Sequence, residues 1–201
     1  LEPGEAPGEL RSLCTVATPA EPVGLALTPD GGTLLVVSRW GHALSAFDTA
    51  RFEPRFTLDL PRDPSALALS ADGARAYVSH AVGGRISVVE LGEASPTGAR
   101  EVALRRLHQV DQSALCQKDA SVVVHPETFE QSFSLLTTSD GRVLAPGVLV
   151  DPWPIVDAAG AYGGRQWSLD PSTTFTVATL RPGEEKPSLA RSPARGLADC
   201  L

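Results

Sequence analysis

The strongest constraint on the fold is an internal repeat. Residues 22–48 align without a gap with residues 64–90, so that each position recurs 42 residues later. The identical positions include Pro22 and Pro64, Leu25 and Leu67, Ala26 and Ala68, Leu27 and Leu69, Asp30 and Asp72, Gly31 and Gly73, Val36 and Val78, Gly41 and Gly83, and Ser45 and Ser87. An Asp-Gly turn kept in register with three flanking apolar segments indicates one structural unit used twice.

Each unit has the pattern of four short strands. Leucines that alternate with small residues before the turn predict a half-buried strand, and Asp-Gly itself is typical of a tight hairpin turn. The next segment is rich in β-branched residues and predicts a strand buried on both faces. A glycine turn, a third strand and a more polar outer strand complete the unit. The predicted second to fourth strands are 33–38, 43–48 and 55–60, and then 75–80, 85–90 and 99–104.

Four strands in every forty-odd residues are typical of one blade of a β-propeller. The fold class is therefore predicted to be all-β, a β-propeller of four-stranded antiparallel blades with about three blades present. Closed propellers contain about four to eight blades. We therefore expect a partial propeller, as a fragment of a longer protein, and the alternative is a ring assembled from several copies.

The units resemble the YVTN-type β-propeller repeat, a family similar to lactonase-like seven-bladed propellers. The resemblance covers residues 22–104 and rests on the PxxLAL start, the Asp-Gly turn and the AYVSH strand, Ala76–His80. It implies an extracytoplasmic setting, periplasmic or at the cell surface. Some similar propellers are joined to a haem-bearing, cytochrome-peroxidase-like domain, but these 201 residues contain no CxxCH motif.

The second half of the chain is less regular. A third Asp-Gly pair, Asp140-Gly141, lies 68 residues after Asp72 and predicts a third blade. The expected organisation is an N-terminal linker and first outer strand at 1–20, blades at 21–62 and 63–104, and an inserted inter-blade loop at 105–131. A blade at 132–180 with an inserted loop at 151–172 follows, and then a polar tail and the start of a further element at 181–201.

Charge and motifs exclude several function classes. The net charge is −7 and no basic stripe occurs, so nucleic acid is not an expected partner. No apolar run reaches 18 residues, which excludes membrane insertion through a helix. The sequence has no GxSxG, HExxH, P-loop or GxGxxG motif. Asp30 and Asp72 are explained by the turns, so that no catalytic residue, metal ligand or cofactor is predicted.

The three cysteines, Cys14, Cys116 and Cys200, form no CxxC motif. If the chain is extracytoplasmic, Cys116 and Cys200 are the expected disulfide pair because both flank the irregular half. The alternative is three reduced thiols in a cytosolic protein.

Two groups of residues are candidates for binding. In a propeller, the connections between second and third strands share one face, which would place Arg39, Trp40, His42, His80 and Arg85 on one rim. The inserted loop concentrates aromatic side chains in a chain with only 5% aromatics. Its candidates are Trp153, Tyr162, Arg165 and Trp167. In each group the alternative is structural: exposed loop side chains, or a small core that holds the loop.

The predicted function is a non-catalytic scaffold or binding module within a larger extracytoplasmic protein. Its expected partner is another protein or a missing domain of the same chain. The alternatives are a lactonase-like hydrolase that uses the central channel, the propeller partner of a haem-containing redox domain, and a metal or small-molecule binder using the rim histidines.

Overall fold

A computed structural model describes residues 2–3, 10–12, 14–92, 96–111, 122–150, 174–182, 184 and 186–191. Every regular element in these ranges is a β-strand. The strands are β1 (Glu2–Pro3), β2 (Leu10–Arg11), β3 (Pro22–Leu27), β4 (Thr33–Ser38), β5 (Ala43–Asp48), β6 (Pro54–Asp59), β7 (Pro64–Leu69), β8 (Arg75–His80), β9 (Arg85–Glu90), β10 (Arg100–Ala103), β11 (Arg105–Asp111), β12 (Val122–Glu130), β13 (Leu136–Thr137), β14 (Val143–Val150), β15 (Thr174–Leu180) and β16 (Ser188–Arg191). No helix in this part of the chain is long and apolar enough to cross a membrane.

The first two blades are antiparallel four-stranded sheets with neighbouring strands in sequence order. The first is β3-β4-β5-β6 and the second is β7-β8-β9-β10. Their registers are equivalent: Leu25 faces Val36 in the first blade, and Leu67 faces Val78 in the second. Both inner strands also show the same register shift after their first proline, at Pro22 and at Pro64.

The blades stack face to face, and the innermost strands β3 and β7 contact one another. Because side chains alternate between the faces of a strand, each central strand contributes to two interfaces. The interface between the first and second blades buries Leu35, Val37, Leu44, Ala46, Ala76, Val78 and Val89. The next interface buries Tyr77, Ile86, Val88, Val102, Phe129, Val143, Ala145, Leu149, Ala178 and Leu180.

The third blade is built from β13, β14, β15 and β16. Strand β13 is short and pairs with the start of β14, which then pairs with β15 along its length. Strand β16 forms the outer edge on β15, in a segment that the sequence assigned to a polar tail. Two four-stranded antiparallel sheets and a third, six-stranded one stack together, and they make the described part of the chain an all-β partial β-propeller, as predicted.

The segment expected to be an inserted loop contains two strands. Strands β11 and β12 pair with each other from Arg105–Thr128 to Asp111–Val122. The last residues of β12 then pair with the end of β14, where Phe129 faces Leu149. The hairpin therefore extends the inner edge of the third blade, which the two-residue strand β13 leaves short.

The N-terminal strands β1 and β2 pair with each other, as a separate two-stranded sheet. The sequence placed an outer strand of a blade in this region. The following segment instead passes over the first blade, where Val16 and Thr18 line a cavity of about 410 Å³ together with Leu25, Val36 and Phe52.

Candidate functional site

The rim is the surface formed by the β4–β5 and β8–β9 turns and by the residues that lead into β3, β7 and β13: 20–21, 39–42, 62–63, 81–84 and 130–133. Backbone hydrogen bonds hold it together. The Arg39 amide donates to the Glu21 carbonyl, and the equivalent Ala81 amide donates to the Asp63 carbonyl, both at 2.8 Å. The Gln131 amide donates to the Ala81 carbonyl at 2.7 Å, which joins the third blade to the second.

Left-handed backbone conformations recur on the rim at equivalent positions. Glu21 and Asp63, directly before β3 and β7, and their repeat equivalent Gln131, directly after β12, have φ values of 57°, 54° and 58°. Such values are uncommon outside glycine. Three different residue types share them, so the geometry is set by the blade and not by the residue type. The recurrence also shows that the entry to the third blade follows the same design.

His42 and Gly84 form a second equivalent pair, with φ values of 48° and 54°. The His42 carbonyl accepts from the Leu60 amide at 2.7 Å, and the Gly84 carbonyl accepts from the Leu104 amide at 2.6 Å. His42 therefore occupies a position that the second blade gives to glycine. Its backbone has a structural role, and its half-buried side chain is incidental to that role.

The most exposed aromatic side chain among the described residues is Trp40, at 74% exposure. Next to it, Arg39 forms an ion pair with Glu21 at 3.5 Å and lies over the ring of Phe133, 5.8 Å from its centroid. This is within the range of a cation–π contact. Phe133 is 58% exposed. Arg39 follows a strand of the first blade, and Phe133 leads into the third blade. Their contact therefore joins the first and third blades on the rim.

Phe133 was missed as a rim residue, and Val82, in the β8–β9 turn that the sequence placed on the rim, was not named as a candidate, although the repeat contains a signal for each. Val82 is the repeat equivalent of Trp40, and both are exposed apolar residues at the tip of a turn. Phe133 lies 68 positions after Ser65 and therefore enters its blade where Ser65 enters the second. Extending the alignment to all three Asp-Gly turns would have placed both residues on this face.

The structure corrects the expectation that His80 meets a ligand on the rim. Its side chain is 1% exposed. Nδ1 lies 2.8 Å from the Arg62 carbonyl and therefore donates, which leaves Nε2 to accept from the Ser87 hydroxyl at 2.8 Å. Burial lowers the pKa of His80, against the effect of the Arg62 carbonyl, and Arg85 lowers it further. His80 is a neutral core residue that ties the blade entry to β8 and β9.

Arg85 is likewise engaged within its own blade. Nη1 donates to Glu101 at 3.0 Å, which joins β9 to β10. The adjacent turn is held from the next blade, because the Gly83 amide donates to the Glu130 carboxylate at 2.8 Å. Of the predicted rim residues, Trp40 has the most exposed side chain, and Arg39 lies beside it, held by Glu21 and Phe133.

Buried serines form a further connection under the rim. Ser65 and Ser79 are both buried, and both hydroxyls donate to the carbonyl of Ser132, from Ser79 at 2.8 Å. The Ser65 and Ser79 hydroxyls are also 3.2 Å apart. Hydroxyls that satisfy a buried carbonyl in this way position the segment that leads to Phe133.

The three Asp-Gly turns share a hydroxyl residue two positions before the aspartate: Thr28, Ser70 and Thr138. Each hydroxyl donates to its aspartate, Asp30, Asp72 or Asp140. These hydrogen bonds lower the pKa values of Asp30 and Asp72. The Thr138 hydroxyl and Arg142 lower that of Asp140 to about 2. The repeated aspartates are thus ionised turn residues at the opposite ends of β4 and β8 from the rim.

Several predicted residues lie outside the described part of the chain. These are Trp153, Tyr162, Arg165 and Trp167, together with Cys116 and Cys200. Cys14 is a free, exposed thiol. Among the described residues, no group of three or more His, Cys, Asp or Glu side chains is arranged to hold a metal ion.

No protein-family model matches the sequence. No curated protein matches it. Among solved structures, the chain is similar to the hydrazine synthase of Kuenenia stuttgartiensis (18% identity, 86% of this chain and 54% of that chain, TM-score 0.42).

Two further solved structures are similar at the same level. A β-propeller domain from Myceliophteria thermophila shares 11% identity over 89% of this chain and 73% of that chain, with a TM-score of 0.42. A putative 6-phosphogluconolactonase from Bacteroides fragilis shares 16% identity over 88% and 71%, with a TM-score of 0.40. The chain spans about half the length of the hydrazine synthase chain, and the activities named are those of the other proteins.

Proposed function

We propose that this chain is a non-catalytic β-propeller module of the YVTN type that binds a protein partner through the rim. The observation that carries the proposal is the exposed Trp40 beside Arg39, which lies over the ring of the exposed Phe133. Tryptophan and arginine are the side chains most enriched among residues that dominate binding energy at protein interfaces. The contact surface would thus combine an aromatic anchor with a cation already held in place.

The chemistry-bearing side chains of the described blades support a binding role over a catalytic one. His80 is enclosed between Arg62 and Ser87, Arg85 is paired with Glu101, and the repeated aspartates are held in turns. A lactonase-like hydrolase would need such groups free to meet a substrate in the channel. We further propose that the module acts outside the cytoplasm, in a larger protein or assembly, as the resemblance to YVTN-type repeats implies.

The test is affinity capture from an extracytoplasmic fraction, followed by a dissociation constant for each captured protein. Trp40→Ala is expected to weaken a rim partner by about 30-fold, a loss of roughly 2 kcal/mol. Arg51→Ala is the matched control, because Arg51 is exposed at the opposite end of β5 from the rim. Equal binding by the Trp40→Ala variant, or turnover of lactones by the wild-type chain, would contradict the proposal.

A further inference from the structure

The second strand of each blade ends beside the segment that enters the blade, and in the second blade a buried ring fills the space between them. The ring is the imidazole of His80, whose side chain is 1% exposed. One ring nitrogen lies 2.8 Å from the Arg62 carbonyl, and the other lies 2.8 Å from the Ser87 hydroxyl. The imidazole thus connects the entry segment to the third strand.

In the third blade a ring from elsewhere in the chain takes the same place. Gly147 corresponds to His80, because each lies four residues after the residue that pairs with the end of the inner strand. The ring of Phe129 lies against Gly147. The Glu130 carbonyl, which corresponds to that of Arg62, is also there, since a Cβ added to Gly147 would lie 2.8 Å from its oxygen.

The neighbouring residue on the third strand matches the ring in both blades. His80 is polar and meets the hydroxyl of Ser87. In the third blade Ala178 stands in the position of Ser87 and belongs to the same buried apolar cluster as Phe129. The chemistry of this third-strand residue therefore indicates the chemistry of the group that occupies the space.

The first blade has a ring at neither of the two positions. Ser38 corresponds to His80, because both pair with the first proline of their inner strand. Pro19 corresponds to Phe129. The second blade has the equivalent proline, Pro61, together with its imidazole, so a proline at this position leaves the space beside the strand end to another group.

The groups around this space in the first blade are polar and buried. Ser38 is 0% exposed, and within the described part of the chain its hydroxyl has no hydrogen-bond partner. Ser45, which corresponds to Ser87, is 1% exposed and lies 3.2 Å from the Thr57 hydroxyl. The carbonyl of the entry segment, here that of Ala20, accepts from one amide and keeps a second lone pair.

We propose that the first blade binds an ordered water molecule where the other two blades hold a ring, between the Ser38 hydroxyl, the Ser45 hydroxyl and the Ala20 carbonyl. Buried waters in proteins make about three hydrogen bonds, typically to polar groups that otherwise lack a partner. A water molecule takes up about 30 Å³, which is less than an aromatic ring needs. An apolar occupant would leave the buried Ser38 hydroxyl without a partner, which is unfavourable.

The bound water gives the first blade the connection that His80 gives the second. It joins the third strand to the entry segment, whose next residue is Glu21. Because Glu21 pairs with Arg39 at 3.5 Å and accepts from the Arg39 amide through its carbonyl, the water steadies the base of the rim beside Trp40.

The direct test is a pair of high-resolution crystal structures, of the wild-type chain and of Ser38→His. The wild-type map should show a water peak about 2.7–3.2 Å from the two hydroxyls and the carbonyl oxygen. In Ser38→His the imidazole should replace the peak and contact the Ala20 carbonyl and Ser45. A wild-type map without a peak at this place overturns the proposal.

Thermal unfolding tests in solution whether the space is as large as a ring. Ser38→His should unfold within about 3 °C of the wild type, because the imidazole takes the place of the water. Ser45→His is the matched control, since Ser45 is equally buried and serine or alanine stands at its position in the other blades. Overpacking should lower its Tm by about 5 °C or more. Equal losses for the two variants would show that no ring-sized space exists beside Ser38, which also overturns the proposal.

Discussion

The first two blades and the third differ in how closely they follow the repeat. In the first two, the inner strand, the turn and the second strand keep one register, so that Leu27 faces Leu34 and Leu69 faces Ala76. In the third, Thr137 faces Val143, and the turn between the paired residues is one residue shorter. The repeat spacing from the second blade is therefore 68 up to Gly141 and 67 beyond it.

One missing residue matters because the side chains of a strand alternate between its faces. With the spacing of 68 kept throughout, Leu144 would take the inward position of Ala76, and Val143 and Ala145 would point away from the second blade. The shorter turn instead places Val143 and Ala145 in the interface with Tyr77 and Val102. The shorter turn thus keeps apolar side chains in the interface with the second blade, although the spacing of the sequence repeat changes at this point.

The largest expected effect tests whether the irregular third blade is joined as firmly as the regular ones. Phe129 is 1% exposed, and its ring covers Gly147, where an added Cβ atom would overlap the ring. Phe129→Ala should lower the free energy of unfolding by about 3–5 kcal/mol. Urea unfolding measures this, with Leu44→Ala in the first interface as the matched variant at about 2–5 kcal/mol. A loss below 1 kcal/mol would show that the third blade is only loosely attached.

The second prediction tests whether His42 and Gly84 occupy equivalent backbone positions in their blades. Gly84→Ala should destabilise the protein by about 1–3 kcal/mol. The added Cβ would lie 2.9 Å from the Leu104 carbonyl oxygen and 3.1 Å from that of Phe129, and φ is positive. His42→Gly, which relieves a strained φ, should change stability by less than about 1 kcal/mol. Thermal unfolding measures the stability of both variants. If His42→Gly lost as much stability as Gly84→Ala, the two positions would not be equivalent.

The third prediction uses His80, which stands where the first blade has Ser38. Because burial lowers its pKa in the folded state, the unfolded chain binds the proton first. Stability is therefore full above about pH 6.5 and falls as the pH drops from there toward the lower folded-state value. Asp63 and Glu101 oppose the shift, while Arg85 adds to it. The urea midpoint should fall between pH 7.5 and pH 5.5 by more in the wild type than in His80→Gln. An equal fall in both proteins would contradict the lowered pKa of His80.

The smallest expected effect concerns the turn hydroxyls. Thr28→Val, Ser70→Ala and Thr138→Val each remove a hydrogen bond to the following aspartate and to the turn backbone. Each should cost about 1 kcal/mol. Because all three turns share the motif, the three losses should agree within about 0.5 kcal/mol. A much smaller loss of stability for Thr138→Val would show that the shorter third turn does not depend on its hydroxyl as the other two turns do.

The sequence predicted the blades best where their determinants are local. Strands β4, β5, β8 and β9 match the predicted segments, since their apolar patterns and turn glycines are encoded within a few residues. The hairpin β11–β12 and the edge strand β16 were not predicted as strands. Strands β11 and β12 pair mainly with each other, and β16 pairs with the preceding strand β15. Neither hairpin has an Asp-Gly turn, and the mixed polar and apolar composition of these strands suits a loop as well as an edge strand.

The candidate site was predicted in part, for the same reason. The position of Trp40 and Arg39 in an exposed turn follows from the repeat. The burial of His80 does not, because it depends on the Arg62 carbonyl, Ser87 and the segment around Ser132. The contact between Arg39 and Phe133 joins residues of different blades, which no local pattern contains.

By itself the sequence determined the repeat, the Asp-Gly turns and the apolar alternation that makes each sheet two-faced, because these properties belong to neighbouring residues. The tertiary structure decided which face of each strand is covered, which histidine is enclosed and which aromatics stay exposed. The physical reason is that burial is a property of stacked sheets. Leu25 and Leu67 have the same residue type and the same place in their strand, and only the neighbouring blade distinguishes the exposed side chain from the packed one.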